Sequence, residues 1–393
     1  MSGALDGLKV LDFTTLLPGP YATMCLADMG AEVLKIVSRA RPDANTLRPP
    51  FLPGSKITAN LAYLGRNKRS MHLNLKDQRA QKIVQKLIMH YDIVIEQFRP
   101  GTMAKLGLDY ETLRQVNPAL IYCAITSYGQ RGPHAGKTGY DINCLARSGI
   151  MSYSCPKGEV PVSSGAFIAD AASATNAIIG ILAAVIGRTN SGQGQYIDIA
   201  ITDGMMALNN VYAAASLIDD KSPDYESRMF NGGSLYGYYE TKDGKYMSVG
   251  SLEPGFCSVF YETIGRPDLI SPTGIMPANF EEVRKQIREI FKMKTRDEWT
   301  DIFRKVDACV EPVLSVKEAL DNEQSKNREM VVDIDLPQGG YIRQPALPLK
   351  FSSYKPQYKK IGGPAGADTK AVLQELGYNE KQIAEMEKTG LLD

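Results

Sequence analysis

In the N-terminal half of the chain, short uninterrupted apolar runs alternate with stretches whose apolar residues recur at intervals of three and four. Residues 8–13 (Leu-Lys-Val-Leu-Asp-Phe) read as a buried strand, Leu17-Pro-Gly-Pro20 as a turn, and residues 21–29 as a helix closed by Gly30-Ala31. Residues 32–37 form a second strand, so the chain opens on a β-turn-α-β unit of the kind that builds parallel sheets. The pattern repeats: a helix over 78–90 precedes a strand over 92–96, and one over 110–116 precedes a strand over 120–125. A doubly wound α/β domain follows.

Residues 166–185 are small and apolar, but Asp170, Ser173, Thr175 and Asn176 interrupt them, which favours a packed helix over a membrane span. A loop at 191–195, a strand over 196–201 and a helix over 203–217 come next. After Asp219 the texture changes. Residues 220–230 are polar and loop-like, and alternating runs at 235–241 and 246–252 flank Lys242-Asp-Gly-Lys245, a hairpin turn signal. A small α+β domain is expected over 220–329, with helices at 280–291 and 295–306. The large domain is expected over 1–219, completed by about 330–393, where 371–388 holds two helical stretches separated near Gly377.

Length and composition narrow the function without naming it. The 393 residues suit about two domains, and 45 Lys and Arg against 44 Asp and Glu give no long-range pull toward nucleic acid or anionic membrane. The six cysteines are scattered, without zinc-site pairing or the density of a disulfide scaffold, and are expected reduced and mostly buried. The N-terminus lacks a basic and apolar leader pattern, so a cytoplasmic location is expected. Leu17-Pro-Gly-Pro20 is not Gly-x-Gly-x-x-Gly, which disfavours a nicotinamide reading. Neither a Walker loop nor metal-ligand spacing is present, and no metal is expected.

A set of short motifs, in order and at their spacing, carries a resemblance. They are Val10-Leu-Asp-Phe-Thr14 with Pro18-Gly-Pro20, Asp28-Met-Gly-Ala-Glu-Val-Leu-Lys-Ile36, Asn67-Lys-Arg-Ser70, Phe98-Arg-Pro-Gly101 with Leu106-Gly-Leu108, Gly139-Tyr-Asp141, Gly180-Ile-Leu-Ala-Ala184 and Gly192-Gln-Gly-Gln195. Over nearly its whole length the chain resembles the class III, formyl-CoA transferase type, CoA-transferases, a family that includes the alpha-methylacyl-CoA racemases. The resemblance implies a Rossmann-like large domain, a small domain joined by two linkers, and a homodimer of interlocked rings.

Asp170 lies among small and apolar residues at the start of a helical run, where an aspartate is either an N-cap or a poorly hydrated nucleophile or base. The resemblance favours the second role. In the transferases the matching aspartate attacks the thioester and becomes an aspartyl-CoA thioester, and in the racemases it moves the alpha proton. Family racemases carry a histidine where this chain has Tyr140, whereas the formyl-CoA type has a tyrosine followed by an acid, here Tyr140 and Asp141. An unperturbed tyrosine titrates near ~10 and is a poor racemase base. In the other direction, Glu253 matches an active-site glutamate of the racemases. His134, close to Tyr140 in sequence, is a possible substitute base.

Coenzyme A needs cations for its phosphates, and Arg39, Lys68, Arg69, Arg99 and Lys105 meet that need. By resemblance Thr15, Leu17, Pro18, Leu64, Gln97 and Phe98 line its path. The expectation is an acyl-CoA:carboxylate CoA-transferase that uses a CoA thioester and a carboxylic acid acceptor as substrates and no tightly bound cofactor. A racemase or epimerase is the first alternative, and a non-catalytic CoA-binding subunit of a hetero-oligomer the second.

Overall fold

The structure, a computed structural model, describes residues 3–40, 42–155, 159–227, 229–270 and 280–392. Six strands form a parallel sheet: β1 (Lys9–Phe13), β2 (Glu32–Val37), β3 (Lys68–His72), β4 (Ile93–Glu96), β5 (Ile121–Thr126) and β6 (Tyr196–Ala200). Their order is β3-β2-β1-β4-β5-β6, with every neighbouring pair parallel. All residues of β4 and β5 are buried, as the unbroken apolar runs require of strands covered on both faces. The order reverses between β1 and β4, and open α/β sheets bind ligands beyond the carboxyl ends of the strands at such a point.

The helices that position the site are α1 (Pro18–Asp28), α2 (Ala59–Leu64), α3 (Gln78–Ile88), α4 (Asp141–Ser148), α5 (Ile168–Ser191) and α6 (Ile201–Ala207). The expected turn at 17–20 is instead the first turn of α1. Pro18 stands where a helix lacks an N–H partner in any case, and a Cβ on Gly19 would come 2.2 Å from Thr14. The helix expected over 203–217 is two, α6 and α7 (Val211–Asp219), broken at Asn210, whose φ is +50°.

By length and composition α5 could cross a membrane. One stripe (Ala169, Ser173, Ala174, Ala177, Ile181, Ala184) is buried and the helix lies against α1, β5 and β6. Gly192, at φ +70°, ends it as a left-handed cap.

The chain divides into two compact units, one of residues 1–148, 164–208 and 326–393, the other of 149–163 and 209–325. The second unit holds an antiparallel sheet of β7 (Gly237–Glu240), β8 (Tyr246–Val249) and β9 (Val310–Pro312). The β7–β8 turn is where Asp243-Gly244 suggested, with Gly244 at φ +69°. Helices α8 (Pro254–Thr263), α9 (Phe280–Phe291) and α10 (Arg296–Phe303) enclose an aromatic core of Tyr239, Phe260, Phe291, Trp299 and Phe303.

The C-terminal residues return to the first unit. Hairpin β10 (Val331–Asp335) and β11 (Tyr341–Pro345) precedes α11 (Thr369–Glu375) and α12 (Glu380–Lys388). Val372, Leu373, Ile383 and Leu391 join Leu34, Met71 and Ile83 in one core. Arg66, fully buried, ties the two ends of the chain together. Its guanidinium pairs with Asp28 of α1, donates to the Pro345 carbonyl at 2.6 Å, and lies 4.9 Å from the ring centres of both Tyr63 and Tyr358.

Candidate active site

At the carboxyl ends of β1, β2 and β3 the first unit holds a cavity of about 1190 Å³. This is above the ~300–1,000 Å³ of ordinary small-molecule sites. Thr15, Arg39, Leu64, Lys68, Arg69 and Phe98 line it, so six of the residues singled out for coenzyme A meet around one space. The other five do not line it. Leu17 and Pro18 begin α1, Gln97 accepts the Gly19 N–H at 3.3 Å, Arg99 is exposed, and Lys105 is exposed on a short helix.

The cations are not equivalent. Lys68 is buried and donates to Thr23 Oγ1 at 2.7 Å and the Pro20 carbonyl at 2.9 Å, with Asp12 at 3.4 Å. Burial lowers its pKa to about 8, against the opposing pull of Asp12. Asp12 in turn accepts from Thr14 and Thr23. Lys68 thus braces the β1–α1 connection from below the cavity. Arg69 makes a two-point pair with Glu375 at 2.8 and 2.9 Å.

Sequence reasoning missed the far wall of the cavity, which includes Lys359, Lys360, Ile361, Gly362 and Gly363. It lies almost three hundred residues from the strands it faces, for example in the Asn67 to Lys360 hydrogen bond. The local signal was the Gly362-Gly363 pair. A Cβ on Gly362 would sit 2.0 Å from the Leu61 carbonyl oxygen of α2.

Asp170 occupies the first turn of α5 but is not its N-cap. The cap position belongs to Phe167, whose side chain makes no capping bond. The free backbone N–H of Asp170 donates to Asp141 Oδ1 at 3.0 Å, so the acid of the Gly139-Tyr-Asp141 motif caps the helix from outside. This leaves the Asp170 carboxyl half-buried with a second carboxyl close by. Burial, and then the charge of Asp141, push its pKa up to about 6.

The motif is held rigidly. Ser127 Oγ donates to the Gly139 carbonyl at 2.8 Å and accepts the Gly139 N–H at 3.1 Å, while Asn143 Oδ1 accepts the Tyr140 N–H. Asp141 is buried and Tyr140 is 70% exposed. His134 packs on Tyr128 at 5.8 Å, and desolvation, then Arg147 and Lys137, lower its pKa. Glu253 belongs to the second unit. It is the exposed residue before α8, and its carboxylate makes no capping bond.

Comparison with known proteins matches residues 5–369 to the sequence profile of CoA-transferase family III. The chain belongs to that family. Human alpha-methylacyl-CoA racemase is 31% identical over 99% of this chain and 98% of its own. Human succinyl-CoA:glutarate CoA-transferase is also 31% identical, over 99% of this chain and 90% of its own. Among solved structures, a CaiB/BaiF family protein from Brucella suis superposes with a TM-score of 0.84 at 30% identity, covering 96% of this chain and 100% of that one. This family III chain shares the mixed α/β architecture with its central parallel sheet. A racemase and a transferase stand at equal identity to it, so overall similarity does not choose between the two reactions.

Proposed function

We propose that the chain is an acyl-CoA:carboxylate CoA-transferase with Asp170 as nucleophile. The supporting observation is the half-buried Asp170 carboxyl beside Asp141 at the head of α5, with a pKa pushed up to about 6. At neutral pH such a group is mostly ionised, yet more basic and less hydrated than a surface carboxylate, which suits attack on a carbonyl.

An Asp170 oxygen bonds to the thioester carbonyl carbon and the C–S bond breaks, leaving a mixed anhydride and CoA thiolate. The thiolate attacks the aspartyl carbonyl and the donor acid leaves as its carboxylate. An acceptor carboxylate then attacks the aspartyl-CoA carbonyl and expels the thiolate, which attacks the acceptor's acyl carbonyl and frees Asp170. Asp141 acts as a positioning residue, and Tyr140, with its exposed ring, shapes the acyl side.

A racemase reading is favoured by the human racemase as a relative, with Asp170 as one of its two proton-transfer groups. Incubation with an acyl-CoA and hydroxylamine separates the two. A transferase accumulates protein 15 Da heavier at Asp170, the mass of a hydroxamate, on the order expected from replacing OH by NHOH. Exchange of the alpha hydrogen in deuterated water without that adduct identifies the racemase and removes the transferase reading. Activity only after addition of a second chain would point to the non-catalytic subunit.

The proposal includes a homodimer. On α5 Ile179 and Ile186 are exposed, and Leu217 and Ile218 of α7 are 88% and 89% exposed. Large apolar side chains left bare, on each unit taken by itself, mark association surface. Sedimentation equilibrium is expected to give twice the 43.1 kDa chain mass. A monomer at micromolar concentration would remove the dimer from the proposal.

A further inference from the structure

Three segments of the first unit meet at Ser127, the residue that follows β5. Its hydroxyl bonds twice to one residue, donating to the Gly139 carbonyl at 2.8 Å and accepting the Gly139 N–H at 3.1 Å. Its carbonyl accepts the Thr202 N–H at 3.1 Å and the Thr202 hydroxyl at 2.8 Å, both from the first turn of α6, and the Cys144 thiol of α4 at 3.7 Å. The approach is close as well. A Cβ on Gly139 would lie 2.6 Å from Tyr128 Oη and 3.2 Å from Ser127 Cβ, so a larger residue there would displace the clamp.

Gly139 leads directly to Asp141, the first residue of α4, whose Oδ1 accepts the Asp170 N–H at 3.0 Å. A chain of contacts therefore runs from the sheet to the head of α5, and α6, which anchors the Ser127 carbonyl, lies against both α4 and α5. With its proton given to one polar group of Gly139 and a lone pair to the other, the Ser127 hydroxyl is not free to attack a thioester. Its role is to hold. Asp141 is the charge that acts on the Asp170 carboxyl. The Cys144 thiol is kept protonated by burial and by both carboxylates, against its bond to Thr202, and adds no charge at neutral pH.

We propose that Ser127 is a positioning residue for Asp170: by clamping Gly139 to the end of β5 it sets where Asp141 meets the head of α5, and through that bond where the Asp170 carboxyl stands. The proposal rests on the reading of Asp170 as nucleophile and adds to it a residue that acts only through Gly139 and Asp141. Removing the hydroxyl frees Gly139, lets Asp141 drift from the α5 N-terminus and admits water to the Asp170 carboxyl. A more distant Asp141 charge and better hydration both make that carboxyl more acidic.

In the full chain, Ser127→Ala and Ser127→Cys are expected to lower kcat for CoA transfer about 10- to 100-fold while CoA affinity stays within about twofold. Cysteine fills the serine volume but donates and accepts weakly, so it separates lost hydrogen bonds from lost packing and carries the test if the alanine variant folds poorly. Transfer needs ionised Asp170, so the acid limb of kcat/KM follows its titration at about pH 6 in the wild type. In both variants the limb is expected about one pH unit lower. The same shift is expected in the Asp170 carboxyl resonance of protein carrying isotopically labelled aspartate, assigned through Asp170→Asn, a measurement that needs no turnover. A lower rate with limb and resonance unmoved, or a cysteine variant with the wild-type rate, overturns the assignment. A resonance that moves in a chain without transferase activity keeps the hold of Ser127 on Asp170 and removes the nucleophile reading alone.

Discussion

Asp170→Asn is expected to lower kcat for CoA transfer by at least about a thousandfold while CoA affinity stays within about twofold. The amide keeps the size and hydrogen-bonding shape of the side chain but cannot form the anhydride. The same substitution should make the protein more stable at neutral pH. In the fold the Asp170 pKa is raised to about 6, whereas in the unfolded chain it returns to ~3.9. Unfolding therefore releases a proton between these values, and the wild-type fold loses stability as pH rises through roughly 4 to 6. The full effect of about 3 kcal/mol is discounted because the carboxyl is only half-buried, leaving about 1–2 kcal/mol. Urea unfolding should show Asp170→Asn more stable by that amount at pH 7.5 and equal to wild type near pH 4. Near wild-type turnover, or no stability gain at pH 7.5, would mean that this carboxyl is neither the nucleophile nor poorly hydrated.

The largest effect on stability is expected at Arg66. Arg66→Ala leaves the Asp28 carboxylate buried with Asn67 Nδ2 as its remaining side-chain donor, at 2.9 Å, and also empties the space between Tyr63 and Tyr358. Removing one partner of a buried pair costs about 3–5 kcal/mol. Replacing both members, as Arg66→Met with Asp28→Asn, should recover part of that loss, because no charge is then left without its counterion. Denaturant midpoints of the two variants measure this. A double variant no better than Arg66→Ala would show that ring packing, rather than the orphaned charge, accounts for the cost.

Five of the six strands of the sheet were legible because their signal is local, whereas β3, with the polar sequence Lys-Arg-Ser-Met-His, was missed. β2 and α9 stand where periodicity put them, at Glu32–Val37 and Phe280–Phe291. The errors came where backbone chemistry outweighs pattern. Pro18-Gly-Pro20 looks like a turn, yet proline fits the first turn of a helix and Gly19 is required by Thr14. The break at Asn210 depends on one residue at positive φ in an otherwise helical run. At the site, Asp170 and Asp141 could be found by motif, but their hydrogen bond spans 29 positions and has no local periodicity. The roles of Lys68 and Arg69 were open for a similar reason. A sequence shows that a residue is basic, and only the fold shows that Thr23, Asp12 and Glu375 already hold it.

The closure of the first unit by residues from 326 onward has a consequence during synthesis on the ribosome. The β1–β6 sheet emerges long before Pro345 and Tyr358 exist to shield Arg66, and before Leu373 and Ile383 cover its apolar face. A nascent chain that stops short of its last helix keeps that surface bare, so premature termination, even near the end of the message, should yield aggregation-prone protein rather than a shortened enzyme.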